Sequence, residues 1–245
     1  MTSRFFNKNK GDFEPHMPTE VKEMIFGGLL GDFNLPARHS SCRVRVNANQ
    51  TFSGGKYWRL RILQTKYHTE YVNHMYELLK PWVCTSPQDT INQPHSVTGM
   101  RYEKRWFNTV TLEQLKPLGA WFYDLVPQAH NNYFQHKKKL PPVSILEQWL
   151  TPRALAYWYM DDGSLRTDVN AVLFSTESFS ETEVDSLRQV LLNKYGLKTS
   201  RHKKGKFLRI YLSTTSYETF YGLVSPFLIP SIQRKLRAEI VVTKP

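Results

Sequence analysis

Two short stretches of this chain share one pattern, an apolar helix that stops at a carboxylate, and the pair of them limits the fold more than any other feature. In LTPRALAYWYMDDGS (150–164), Thr151 suits an N-cap, Pro152 the first helical position and Gly163 the residue just past the C-terminus. This predicts about three turns of helix ending at Asp161 and Asp162. A helix C-terminus carries roughly half a negative charge, so acids there are repelled by the dipole and by one another, and a cation is expected to answer them. An isolated Asp-Asp-Gly usually marks only a turn, but a second copy stands upstream. VKEMIFGGLLGDF (21–33) is again a short apolar helix, ending at Asp32, with Gly27 and Gly31 on one face and Gly28 widening the bare strip. The apolar run is too short to span a bilayer, so the strip points to a soluble helix pair. Packed side by side and parallel, the helices would bring Asp32 and Asp162 out at one end, each beside a main-chain carbonyl without an intrahelical partner. Carboxylates with carbonyls make a hard oxygen site suited to Mg²⁺, with Gly31 and Asp161 as further candidate ligands.

Charge selects the partner. The chain has 245 residues, a formal net charge of +12 and a pI near 9.6, which favours a polyanion. An anionic membrane would want a basic amphipathic helix or a long apolar segment, and neither is present, so nucleic acid is the expected partner. Hydrophobic content of 40% and aromatic content of 13% predict a globular chain with a sizeable core. Cys42 and Cys84 are too few for a disulfide framework and lack CxxC spacing, which fits a reducing compartment and argues against structural zinc. No secretory apolar region opens the chain, and Asp12, Glu14 and Glu20 argue against a transit peptide. The expected location is an organelle if the gene is organellar, otherwise the bacterial cytoplasm.

In chain order, residues 1–18 read as a polar arm, 19–127 as a first unit, 128–149 as a basic joining segment and 150–245 as a second unit. From Arg38 to Lys66 there are seven Lys or Arg and no acid. Two strands are predicted there, at 42–47 and 57–64, in which Arg43 and Arg45, then Arg59 and Arg61, alternate with apolar residues. A cationic face of this kind suits a nucleic-acid groove. Tyr71, His74, Met75, Leu78, Leu79 and Trp82 give a helical pattern over 67–83, with His68 and His74 as packing or surface residues. A turn-rich connection over 85–94 precedes a strand pair near 96–110 that carries Arg101 and Lys104. A helix over 111–125, kinked or divided at Pro117, closes the first unit. Lys137, Lys138 and Lys139 lie in the joining segment, before Pro141 and Pro142. The second unit repeats the scheme: a strand at 171–176, a helix over 180–195 with Ser180 and Glu183 as a capping box and Gly196 as its end, a basic hairpin and a last helix at 216–227. The hairpin segment Lys198–Arg209 holds six Lys or Arg and no acid, among them Lys204, Lys206 and Arg209.

IFGGLLGDF (25–33) and LAYWYMDDG (155–163) resemble the two signature helices of a single-chain LAGLIDADG homing endonuclease, the second in a variant familiar from organellar members of the omega-intron type. The motif's acid falls on Asp32 and Asp162; its small third and seventh positions are Gly27 and Gly31 in the first copy but Tyr157 and Asp161 in the second. The resemblance implies an α+β fold of two pseudo-symmetric αββαββα units, joined through the paired helices, with two antiparallel sheets forming a DNA-binding saddle. It implies a monomer that cuts both strands of a long DNA site by metal-dependent phosphodiester hydrolysis, with Asp32 and Asp162 holding the metals. Mg²⁺ is the implied cofactor, with Mn²⁺ also active and Ca²⁺ supporting binding but slow cleavage. It also implies lysines near the metals, for which Lys139 and Lys235 are candidates; both equally suit phosphate positioning. Gln64 is a further candidate, to orient water or read a base. Candidate DNA contacts are Arg43, Arg45, Arg59, Arg61, Arg101, Lys104, Lys137, Lys138, Lys204, Lys206 and Arg209. Two other readings share the fold: an RNA maturase that binds intron RNA, and a catalytically silent DNA-binding protein.

Overall fold

The computed structural model describes residues 16–36, 58–94, 99–127, 134–233, 235 and 236. Most of the expected arm, and the strand expected over 42–47 with Arg43 and Arg45, lie outside these. The chain divides into two compact units. The first takes the described residues up to Lys22 and from Asp32 to Lys139; the second takes Glu23–Gly31 and the described residues from Leu140 onward.

The division cuts helix α1 (Thr19–Leu30). Residues 24–30 are all buried, as suits a helix with apolar residues on every side. In the first unit follow β1 (Arg61–Thr65), α2 (Thr69–Leu79), β2 (Gln88–Ile91), β3 (Glu103–Asn108), α3 (Lys116–Phe122), β4 (Tyr123–Pro127) and β5 (Phe134–Lys138). An antiparallel sheet runs in the order β1-β3-β2. Ile62 sits opposite Phe107, both are buried, and Tyr76 of α2 meets the Phe107 ring edge-on at 5.7 Å. Successive side chains alternate in a strand, so Arg61, Leu63 and Thr65, with Lys104, Trp106, Gln88 and Thr90, share the face away from α2. On α2 the buried residues Tyr71, Val72, Met75 and Leu79 follow the helical spacing. His74 is half-buried, and burial pushes its imidazole pKa down.

Three local expectations change. The connection expected over 85–94 contains β2, a polar edge strand whose four residues are all exposed and which therefore carries no apolar alternation. The helix expected over 111–125 divides at Pro117, as expected: a 3-10 turn over Glu113–Leu115 gives way to α3, and Pro117 falls in the first turn of α3, where its missing N–H is no loss. The helix ends earlier than expected, at Phe122. Residues 123–127 turn extended and pair with β5 in register, Tyr123 against Lys138. The joining segment 128–149 thus contributes a strand to the first unit and a helix, α4 (Val143–Trp149), to the second.

The second unit continues with α5 (Pro152–Asp162), β6 (Gly163–Leu165), β7 (Val172–Phe174), α6 (Glu181–Tyr195), β8 (Thr199–Lys204), β9 (Phe207–Leu212), α7 (Tyr217–Val224) and the short α8 (Pro230–Gln233). From α5 to α7 the order is αββαββα, with an antiparallel sheet β6-β7-β9-β8. The capping box of Ser180 and Glu183 is present, and Gly196 takes φ 67°, the left-handed end a glycine allows. The two sheets repeat one rule: the strand before the covering helix pairs with the second strand after it, β1 with β3 and β7 with β9. Phe174 and Phe220 close the core beneath α5, the Phe174 ring stacking on Trp158 at 4.3 Å. No helix among the described residues is long and apolar enough to cross a membrane.

Candidate functional site

The paired stretches, Glu23–Gly31 and α5, both lie within the second unit. Thr151 accepts the N–H of Ala154 at 3.2 Å and starts α5 as its N-cap. Arg153 pairs with Glu23 at 3.3 Å, and one turn on Gly27 abuts Ala154, whose carbonyl carbon is 2.9 Å from where a Gly27 Cβ would stand. Farther along, Gly31 abuts Asp161, whose Oδ2 is 2.5 Å from the corresponding position. Contacts that advance together along both segments mean the helices run in the same sense, as expected. The bare strip of α1 is what permits this approach, since any side chain at Gly27 would overlap main chain. On α5 the contact is carried by Ala154 and Asp161, and Tyr157 packs in the core at 4% exposure. Burial there pushes the Tyr157 hydroxyl up to about 12, against the pull of Arg153.

Asp161 and Asp162 are both half-buried but differently engaged. Asp161 leans over Gly31, whereas Asp162 ends α5 and its carbonyl accepts the N–H of Ser175 at 3.1 Å. The cation that the helix end requires is Lys235. Its Nζ donates to the carbonyl of Met160 at 2.8 Å, among the last carbonyls of α5. Two tyrosine hydroxyls hold this segment: Tyr159 donates to the Lys235 carbonyl at 2.6 Å, and Tyr217 donates to the carbonyl of Leu236.

In the first unit Asp32 is exposed, and Gln64 Nε2 donates to its Oδ2 at 3.2 Å. The two meet because Asn34 and Arg61 exchange backbone hydrogen bonds of 3.2 and 2.8 Å, tying the segment after the acid to the start of β1. Tyr123 secures the same turn, its hydroxyl donating to Asn34 Oδ1 at 3.0 Å and accepting from Leu35 at 3.1 Å. Lys139 is placed beside Asp124, with Nζ 2.6 Å from Oδ1. Among the described residues no three His, Cys, Asp or Glu side chains gather as a metal cluster. The residues expected as metal ligands fall in different units, Asp32 in the first and Gly31, Asp161 and Asp162 in the second. All offer oxygen only, which fits a hard divalent cation and not a thiophilic one.

The basic residues sort by face. In the first sheet Arg61 and Lys104 lie on the face away from α2, and the Arg61 guanidinium stands 5.7 Å from the Trp106 ring. Arg101 is exposed just before β3, Arg59 is half-buried just before β1, and on β5 Lys137 is exposed and Lys138 half-buried. Arg105 faces the other way, bound to Asp89 at 2.7 Å and Asn73 at 3.2 Å. In the second sheet Ile210, Leu212 and Phe174 are buried, leaving Lys204, Arg209, His202, Tyr211 and Phe207 on the opposite face. Lys206 lies in the turn, 5.2 Å over the Phe207 ring. Glu177 joins this face and binds Lys204 at 3.2 Å and Arg209 at 2.7 Å. Sequence reasoning missed Glu177, because the acid that answers an acid-free hairpin comes from a loop before α6. Trp106 and Tyr211 were legible only as members of strands whose pairing was unknown, and His202, expected in the hairpin turn over 202–205, lies instead in β8.

Residues 22–220 match the model of the LAGLIDADG DNA endonuclease family. The chain is 34% identical over 225 residues to the DNA endonuclease I-ChuI of Chlamydomonas applanata, covering 89% of this chain and 94% of the relative. It is 27% identical over 227 residues to the cytochrome b mRNA maturase bI2 of Debaryomyces hansenii, covering 92% of this chain and 76% of the relative. Its fold matches that of the homing endonuclease I-WcaI, solved bound to its DNA recognition sequence, with a TM-score of 0.75 at 22% identity over 93% of this chain and 90% of the other.

Proposed function

The chain belongs to the LAGLIDADG DNA endonuclease family, and from this premise we propose that it is a homing-type endonuclease, a monomer that breaks both strands of a long DNA site with Mg²⁺. The observation that carries the proposal is the pairing of α1 with α5, in which a glycine strip lets two acid-tipped helices run in the same sense. Asp32 and Asp162 would hold the cations, with the Gly31 carbonyl and Asp161 completing the donor set. When bound, a divalent ion supplies a nucleophilic hydroxide at neutral pH and offsets charge on the scissile phosphate. The protein's own share is positioning. Gln64 fixes the Asp32 carboxylate by donating to one of its oxygens. Lys235 brings a positive charge to the last turn of α5, where developing negative charge on a phosphate needs it. Lys139, held by Asp124, serves phosphate placement. The cationic sheet faces hold the duplex, phosphates through Lys137, Lys138 and Lys206, and base edges through Arg61, Lys104 and Arg209.

The test is incubation with Mg²⁺ and a plasmid library of candidate intron-insertion sequences. Linear product from one sequence class is the expected result. DNA that is retarded but never cut would instead mark a silent DNA-binding protein. A second reading, an intron RNA maturase, is favoured by the maturase relative matched across 92% of this chain. Tight binding of intron RNA with no cutting of any duplex would establish it. That relative's link to cytochrome b mRNA also supports an organellar setting.

A further inference from the structure

This inference rests on the DNA-binding reading above and concerns Glu177, an acid set among the cations of the second sheet's open face. Glu177 Oε1 accepts from Arg209 Nε at 2.7 Å and from Lys204 Nζ at 3.2 Å. The placement is built, since Thr176 is fully buried and its hydroxyl donates to the carbonyl of Leu208 at 2.8 Å. The residues that follow each of these, Glu177 and Arg209, are therefore held side by side from separate segments. Glu177 and Arg209 are 24% and 22% exposed, whereas Lys204 is 58% exposed. Burial alone would push the Glu177 carboxyl up, but the bonds from Arg209 and Lys204 bring it below the usual range, so it stays ionised at neutral pH.

A surface that only gripped phosphates would gain nothing from this carboxylate, which cancels one of two positive charges and repels the backbone. A surface that reads bases does gain. In the major groove a carboxylate accepts from the cytosine N4 amino group, and an arginine donates in bidentate fashion to guanine O6 and N7. Arg209 contacts Glu177 through Nε and Nη2, which turns its outer Nη edge away from the carboxylate. We propose that Glu177 and Arg209 act as a base-reading pair, Arg209 selecting a guanine and Glu177 its paired or neighbouring cytosine, with Glu177 also holding down affinity for all other sequences. Lys204, the exposed partner, exchanges Glu177 for a phosphate when DNA docks.

The experiment selects duplexes from a randomised library with the full chain and with Glu177→Gln and Arg209→Lys, and titrates salt on a random-sequence duplex. The full chain is expected to enrich sites with a fixed G·C position that relaxes by roughly 5- to 150-fold in either variant. Glu177→Gln is expected to bind the random duplex more tightly, with a log-log salt slope steeper by about 1, whereas Arg209→Lys leaves that slope unchanged. Identical enriched sequences and an identical slope for Glu177→Gln would overturn the pair while leaving DNA binding intact. A full chain that binds the random duplex yet enriches no sequence would overturn this inference while leaving DNA binding intact, and a full chain that binds no duplex would sink the DNA-binding reading as well.

Discussion

Gly27 in α1 and Gly31, just past its end, both meet α5 yet do different work. A Cβ at Gly27 would meet main chain that cannot rotate away, so Gly27→Ala is expected to destabilise the protein by about 1–3 kcal/mol, measured by urea unfolding. At Gly31 the obstacle is the side chain of Asp161, with Cγ 3.0 Å from the ideal Cβ. Gly31→Ala is therefore expected to displace a carboxylate, lowering cleavage rate more than stability. Glycine spacing was legible in the sequence. That Asp161, at a motif position usually small, would take up the room left by Gly31 was not, because a residue's partner across a helix pair depends on the crossing. Asp185 offers a residue-level test in pH. Arg201 donates to it, and despite partial desolvation this bond and that of Arg188 bring its carboxyl down to about 2 from an ordinary 3.8. A depressed folded-state pKa stabilises above the unfolded value and is lost as pH falls through the folded one. The tie between α6 and β8 should thus weaken between about pH 4 and pH 2, and Asp185→Asn should remove that part of the acid transition.

Elements here are joined by single side chains that serve two ends. Glu183 takes the N–H of Ser180 at 2.7 Å to complete the capping box, and its other oxygen takes the N–H of Leu140 at 2.7 Å, fixing where the chain enters the second unit. Ser180→Ala is expected to cost about 1 kcal/mol. Glu183→Ala should cost more, because it also strands the part-buried Leu140 N–H, a loss on the order of 1–3 kcal/mol in the same unfolding assay. The box, the helix after it and the hairpin 199–212 could be read from local signals, since each is set by residues close in sequence. The polar edge strand β2 and the hairpin of β4 with β5 could not. Gln88–Ile91 has no apolar alternation, and the pairing of Tyr123 with Lys138 spans residues that read as a linker.

For the molecule as a whole, charge and repetition are the governing facts. A net charge of +12 with basic residues on the open face of each sheet predicts binding dominated by counterion release. If about eight phosphates are neutralised, the log-log dependence of affinity on salt should have a slope of roughly −7, and a flat dependence would contradict the reading of those faces. Total charge was legible in the sequence, but its distribution was not, because Glu177, Asp89 and Asp124 fold onto cations from distant segments. The repeated acid-tipped helix remains the central claim, and plasmid cleavage with each acid altered in turn tests it most directly. With a supercoiled plasmid bearing a selected site and Mg²⁺, Asp32→Asn and Asp162→Asn should each retain DNA binding yet yield no linear product. Linearisation by either variant at the unaltered rate would contradict the account.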